Sequence, residues 1–467
     1  MWYKNKKIVL TTPTKRSPAG RYEKNEALAR KLGFRYKKWG DVAKNWFANA
    51  GITRPYGRFI FGKPFDTYNL MLEHYAKGEH GCVLDLEHES VSKGRQAVKN
   101  VFGNECSVLF DTNGSCVIST ITKSLRGTDE NFSTLTFSDQ GRLVYSALGF
   151  EAKSMVNFRQ NFEQQLGLFE ASSPNHRISA STKYPKNVKV INLFYSDNTY
   201  RPDGVLMDEF LRTIKTRRDI KMVLLLHVSR TGRILPVEEM IRIARSARDD
   251  IAIFVDGCQA IGRIPFQAMK RVYDLADGYI FVGHKALGSM ICGAAAIKKD
   301  VEQKFANLID HSLLHIFKLF QFESEELNLK ILQRSKKTGK HYFLVSAPEI
   351  LSLASAMDEG VNRYWADQDI IGRHKASLTS YLNSLKTVHL NVHSCPIVDD
   401  LVSFHMIPAS RGSELKQYLQ NLNPPITIAP LTENLAVRIA IDPKMLHLDG
   451  AVAYLKDSVQ AFERQTN

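Results

Sequence analysis

Ile251-Ala-Ile-Phe-Val-Asp-Gly-Cys-Gln-Ala260 and, shortly after it, Gly278-Tyr-Ile-Phe-Val-Gly-His-Lys-Ala-Leu-Gly288 decide how the chain is read. Each opens with a short run rich in β-branched and aromatic residues and stops on a polar group. That pattern predicts strands buried on both faces, at Ile251–Val255 and Gly278–Val282. Working outward, Cys106–Phe110, Ser133–Phe137, Val188–Tyr195 and Met222–Val228 read the same way. Helical patterns separate them. After Pro236, whose fixed φ suits a first helical turn, Val237, Met240, Ile241, Ala244 and Ala247 follow the spacing of one covered helix face. Strands alternating with helices imply an α/β fold built on a mostly parallel sheet.

In such a sheet ligands bind beyond the carboxyl ends of the strands, and three polar features fall there. Asp111-Thr-Asn-Gly-Ser115 lies between a strand and a helix beginning near Cys116, so its amides face a helix amino terminus, which suits an anion. Asp256 ends its strand with Gln259 three residues on, and a desolvated carboxylate there needs a cationic partner. Lys285 follows 29 residues after Asp256 at the end of the next strand, where a lysine of lowered pKa can form a Schiff base with an aldehyde. Singly, the first is an ordinary strand, Gly turn and Ser cap, Asp256 suits a turn and Lys285 a solvated charge. Jointly they describe one site.

These residues resemble the pyridoxal-phosphate enzymes of fold type I, specifically the class V aminotransferase and cysteine desulfurase group. The resemblance spans roughly residues 75–465 in order. Its anchors are Asn113-Gly-Ser115, His227-Val-Ser-Arg-Thr-Gly-Arg-Ile-Leu-Pro-Val237, Asp256-Gly-Cys-Gln259, Gly283-His-Lys285 and Val437-Arg-Ile-Ala440. It implies that Lys285 holds pyridoxal phosphate as a Schiff base and shuttles the substrate's α-proton. It further implies that Asp256 pairs with the pyridinium nitrogen, that Gln259 bonds the ring hydroxyl, and that Asn113, Gly114, Ser115 and His284 hold the phosphate. Ser229 and Thr231 fall where the family contacts the cofactor. Thr338 falls where a neighbouring subunit reaches the phosphate, which implies a homodimer with shared sites. Arg438 aligns with the arginine that grips the substrate carboxylate, a contact suited to a guanidinium fork. No metal is implied.

Three departures qualify the activity. A desulfurase needs a cysteine after the strand resembling Val402-Ser-Phe404, yet residues 425–434 contain none and Cys395 precedes that strand, so amino-group transfer is expected and desulfuration is not. Gln140 falls where the family stacks an aromatic or His ring on the cofactor, with Phe137 or Tyr145 as substitutes. Val282 stands where the group often places a phosphate-binding Ser. Elimination or replacement chemistry, or decarboxylation, are the alternative reactions. A nucleic-acid-binding protein on a degenerate version of the fold is the alternative of another class.

Composition sets outer limits. The chain has 467 residues, 44% hydrophobic and 24% charged, which is ordinary for a folded protein and excludes disordered and collagen-like classes. The six cysteines form no C-x-x-C pair, so neither a zinc site nor a disulfide framework is favoured. No run approaches the ~18 apolar residues of a membrane span, and a cytoplasmic protein is expected. The charge is uneven: residues 1–60 hold 15 Lys and Arg against 3 Asp and Glu, whereas the other residues hold 48 against 45. A basic, aromatic-rich arm (1–60), with a helix around Glu23–Leu32, thus precedes a large cofactor-binding domain (61–340) and a small α+β domain (341–467). The arm suits either a wrap around the dimer or an anionic, phosphate-bearing substrate, and it is the feature that would engage nucleic acid. In the small domain, helices are expected at Pro348–Arg363, Asp369–Leu385 and Asp449–Phe462, and strands at Leu401–Met406 and Ala436–Ile441. Asp310–Lys340 reads as a connection.

Overall fold

The computed structural model describes single positions between 67 and 77 and residues 80–111, 113–126, 129–140, 142–149, 185–195, 199–287, 289, 292–302, 347–366, 368–390, 396–407, 411–422, 429–430, 437–440 and 448–466. The basic arm with Glu23–Leu32, the connection Asp310–Lys340 with Thr338, and Cys395 lie outside the described residues.

Helix α1 (His80–Phe102) leads into β1 (Cys106–Asp111), α2 (Gly114–Arg126), β2 (Ser133–Phe137), α3 (Arg142–Gly149), β3 (Val188–Ile191), α4 (Asp203–Thr216), β4 (Ile220–Leu226), α5 (Val237–Ala247), β5 (Ala252–Asp256), α6 (Phe266–Leu275), β6 (Gly278–Val282), the single turn α7 (Gly283–Ala286) and β7 (Gly293–Lys298). These strands form one seven-stranded sheet in the order β1-β7-β6-β5-β4-β2-β3. Neighbours from β6 to β3 run parallel, and β7 runs antiparallel to both β6 and β1. Side chains alternate between two cores: Val223, Leu225, Ile253, Val255, Tyr279 and Phe281 enter one, while Met222, Leu224, Phe254, Ile280 and Val282 enter the other. Burial on both faces is why these strands read as unbroken apolar runs.

The sequence reading contained no strand at β7. Gly293-Ala-Ala-Ala-Ile-Lys298 has low β propensity, yet its register explains the composition, because Ala294 pairs with Phe110 on one side and with Phe281 on the other. A small residue between two phenylalanines on the same face keeps the layer filled without overpacking. The third strand is shorter than the predicted Val188–Tyr195. After Ile191 the side-chain oxygen of Asn192 accepts from the Ser138 hydroxyl at 2.8 Å and from Phe194 N at 3.2 Å, which turns the chain out of the sheet.

The helices cover the sheet with their apolar stripes. In α5, Val237, Met240, Ile241 and Ala244 are buried, and Glu238 and Glu239 place negative charge at the positive end of the helix dipole. Pro236 occupies its cap position, just before the first turn in which it was expected. Beyond the large sheet lie α8 (Ala347–Ala366), α9 (Gln368–Asn383), β8 (Val388–Leu390), β9 (Leu401–Met406), α10 (Arg411–Gln420), β10 (Ala429–Pro430), β11 (Val437–Ala440) and α11 (Leu448–Thr466). Helix α8 packs on α1 at Gly94, where an added Cβ would lie 2.2 Å from Ile350 Cγ2. The last four strands form a second, antiparallel sheet in the order β10-β11-β9-β8, with its own core around Leu378, Phe404, Leu415 and Leu455.

Candidate active site

Because β7 is antiparallel to both its neighbours, β1 runs in the same direction as β6, and the carboxyl ends of β1 to β6 share one edge with the start of β7. Asp111, Gly293 and Val282 sit in one register row, and Asp256 pairs with Ile280 on the next strand. Three sequence features predicted to act together are therefore at one edge of the sheet, with the start of β7 between the ends of β1 and β6. The turn after β1 is fixed by Asn113: its side-chain oxygen accepts from Cys116 N at 3.0 Å and its carbonyl from Val117 N at 3.1 Å, which makes it the cap of α2. Gly114 follows, and the half-buried Ser115 with it opens the helix. A Cβ at Gly114 would lie 2.4 Å from Cys258 Sγ and 3.0 Å from Val282 Cγ1, and one at Gly293 would lie 2.3 Å from the Asn113 carbonyl carbon. Glycine at both positions thus lets the helix amino terminus lie directly on the ends of β5, β6 and β7.

Asp256 is buried, and its Oδ1 accepts from Cys258 N at 2.9 Å. The Cys258 thiol is pushed well up by burial and by the Asp256 charge, with Lys285 pulling the other way, so it is a protonated packing group beside both residues. Under the same loop lies Tyr279, whose ring is so close that a Cβ at Gly257 would fall 2.1 Å from it. Burial and the Asp256 carboxylate hold the Tyr279 phenol protonated, and its oxygen is 2.7 Å from His227 Nδ1. Burial lowers His227 to about 4, so its ring is neutral. His284 is also buried and neutral, lowered to about 3 by burial and by the charge of adjacent Lys285, and its Nδ1 has no hydrogen-bond partner among the described residues. Lys285 itself is half-buried on the turn α7.

A second polar cluster lies at the end of β2. Asp139 adopts φ +66°, a left-handed conformation that aspartate tolerates better than most residues, and its Oδ2 accepts from Thr231 N at 2.9 Å and from the Thr231 hydroxyl. The Thr231 hydroxyl also meets Tyr200 and, at 3.1 Å, Ser229 Oγ. Burial raises the Asp139 carboxyl, and the hydroxyls of Thr231 and Ser229 partly offset this. Ser229 and Thr231, read from the sequence as cofactor contacts, are thus joined in this buried network. Gln140 is buried against Thr136 and donates to Phe137 O at 3.2 Å, while its Oε1 has no hydrogen-bond partner among the described residues. Tyr145 donates to the same carbonyl at 3.2 Å.

Gln259 is held from its other side. Arg263 Nη1 donates to Gln259 Oε1 at 2.7 Å and to its carbonyl at 3.0 Å, while Arg263 Nε donates to both Asp400 oxygens at 2.8 Å. Arg438 is in β11 opposite Ser403 of β9, whose hydroxyl donates to Thr231 O at 3.0 Å. Thr338 lies outside the described residues. Asp139, Tyr279, Arg263 and Asp400 carry no sequence signal of a functional role. Tyr279 was hidden inside an apolar strand, and Asp400 meets Arg263 from 137 residues away, so no local pattern signals it. Among the described residues no His, Cys, Asp and Glu cluster could hold a metal, and no helix is long and apolar enough to cross a membrane.

Residues 187–312 match the family model "Aminotransferase class-V". No curated protein sequence matches the chain. Among solved structures, it is similar to a NifS-like protein at TM-score 0.57 and 17% identity, covering 89% of this chain and 99% of that one. It is similar to a lysine-to-alanine variant of C-DES, with glycine covalently linked to its PLP cofactor, at TM-score 0.55 and 16% identity, covering 88% and 96%. It is also similar to the ureidoglycine–glyoxylate aminotransferase of Bacillus subtilis at TM-score 0.53 and 14% identity, covering 80% and 85%. The family match over residues 187–312 and the shared architecture agree with the class V, fold type I resemblance read from the sequence, whose implied cofactor is pyridoxal phosphate. The residues present fit that group. An orphaned, buried His284 nitrogen costs about 1–3 kcal/mol unless something supplies its partner. It lies next to Lys285, beside a carboxylate-ended strand and a capped helix amino terminus suited to a phosphate.

Proposed function

We propose that the chain is a pyridoxal-phosphate-dependent aminotransferase acting on an amino acid. One observation carries the reading: the Gly114 turn at a helix amino terminus packs on Cys258, a thiol that feels the charges of both Asp256 and Lys285. When bound, the cofactor supplies an electron-accepting ring that weakens a bond to the substrate α-carbon. In this reading Asn113, Gly114 and Ser115 hold the phosphate with His284. Asp256 holds positive charge on the ring nitrogen, and Gln259 donates to the ring hydroxyl oxygen. Lys285 anchors the cofactor and, once released, moves the α-proton with its amine. Arg438 takes the substrate carboxylate, and Thr338 serves the site of a second copy in a homodimer. An arginine grip on the carboxylate favours breaking the Cα–H bond over decarboxylation. The absence of cysteine from residues 425–434 argues against desulfuration.

The test is a half-reaction. The cofactor-loaded protein is mixed with a panel of amino acids, and its visible band is followed, with Lys285→Ala as control. Amino transfer predicts loss of the band with one class of amino acid, release of the matching keto acid, and return of the band on adding a keto acid. Release of sulfide, ammonia without keto-acid dependence, or carbon dioxide would replace the reaction while leaving the cofactor assignment in place.

A further inference from the structure

We propose that Arg263 and Asp400 are positioning residues that set the amide of Gln259, so that it presents its N–H to the cofactor's phenolic oxygen. The inference rests on the cofactor reading above and assigns two residues that reading leaves without a role. It begins from hydrogen-bond chemistry. A primary amide can be turned either way, and its orientation has to be settled by its partners. Arg263 has only donors, so the amide atom it meets at 2.7 Å has to be the acceptor, Oε1. The Nε2 donor is thereby turned away from Arg263, and it makes no hydrogen bond to the described residues.

Arg263 in turn has little freedom. Its side chain is 3% exposed and that of Asp400 is 1% exposed, and its Nε bonds both carboxylate oxygens. Its Nη1 is shared between the Gln259 side chain and the Gln259 carbonyl, which ties the guanidinium to the turn following Asp256. A buried ion pair of this kind adds little net stability compared with an apolar replacement. What it does supply is direction: a planar, always-charged fork that cannot accept a hydrogen bond and so permits one amide orientation only. Asp400 immediately precedes β9, so the second sheet fixes the donor through a two-link chain. The donor's chemical effect follows from its target. An N–H on the phenolic oxygen stabilises its anionic form and makes the conjugated cofactor easier to deprotonate.

The experiment uses the full chain loaded with pyridoxal phosphate and reads the pH midpoint of the visible band together with cofactor affinity. Arg263→Met takes the facing guanidinium from the buried Asp400, so the informative variant is Arg263→Met with Asp400→Leu, which removes both charges together. The expected result is a folded protein whose band midpoint is raised by about one pH unit, as expected for losing a hydrogen bond to a charged oxygen. Gln259→Leu shifts it equally, and combining all three substitutions shifts it no further. A midpoint unchanged in the paired variant but raised in Gln259→Leu overturns the positioning role. Equal shifts that add in the triple variant overturn it too, because the residues then act separately. A wild-type protein that forms no visible band overturns the cofactor reading instead, and the proposal with it.

Discussion

At the scale of single residues, the site is a set of charges and neutral rings whose states are fixed by burial. His227 and His284 are the sharpest cases, lowered to about 4 and about 3 by desolvation, against an ordinary value of 6.5. The unfolded chain therefore binds protons at these histidines between pH 6.5 and about 4 while the folded chain does not, and folding stability falls as pH drops through that window. For His227 alone the effect approaches about 2–3 kcal/mol at pH 4. The predicted outcome is a urea midpoint that declines from pH 6.5 to 4, and a shallower decline in His227→Gln, which keeps a polar partner for Tyr279 but does not titrate. Equal slopes in the two proteins would show that the ring is not held neutral. Asp139 works in the opposite sense, since burial raises its carboxyl and the folded state holds that proton more tightly. Any gain it gives is present in acid and is lost as pH rises through its folded pKa.

At the scale of elements, the join between β1 and α2 is where sequence and geometry meet most closely. Gly114→Ala sets a Cβ 2.4 Å from Cys258 Sγ, so the turn has to shift away from the strand ends. Overpacking of this kind costs about 1–3 kcal/mol, and cofactor affinity is expected to fall about tenfold with it. Adding Cys258→Ala removes the clashing sulfur and leaves Val282 Cγ1 at 3.0 Å as the remaining tight contact, so part of the affinity should return. Equilibrium dialysis of pyridoxal phosphate against the single and paired variants checks this. Absence of rescue would mean that the helix amino terminus is not seated on Cys258. Much of this element was legible beforehand: Asn113-Gly-Ser115, Asp256 and Lys285 each lie on a local strand-to-turn boundary that hydrophobic patterning marks directly. Strand β7 was not legible, because its alanines follow from Phe110 and Phe281 on other strands. Helix α1 was missed as well, and its mean apolarity gives little signal: its close contact is at a glycine, Gly94, shaped by Ile350 of a helix far along the chain. Arg263 and Asp400 belong with these cases, as a pair created by the fold and not by a motif.

At the scale of the whole molecule, the second sheet is fastened to the cofactor edge of the first. Ile234 N donates to Pro396 O at 2.8 Å and Val398 N to Gly232 O at 2.9 Å, so residues 396–398 run alongside the turn that carries Ser229 and Thr231. The Ser403 hydroxyl and the Arg263–Asp400 pair add two more ties. Gly232 has φ +101°, and a Cβ there would lie 3.2 Å from Val398 Cγ2, so a glycine lets the two layers approach this closely. The second sheet, which carries Arg438, is thus tied by several independent contacts to the edge that carries Lys285. The central claim is that Lys285 is the covalent anchor of pyridoxal phosphate, and borohydride reduction of the cofactor-loaded protein followed by peptide mass mapping tests it most directly. One reduced cofactor per chain is expected, fixed on the peptide that contains Lys285 and absent from that peptide in Lys285→Ala. Label spread over other lysines, with the Lys285 peptide unmodified, would contradict it.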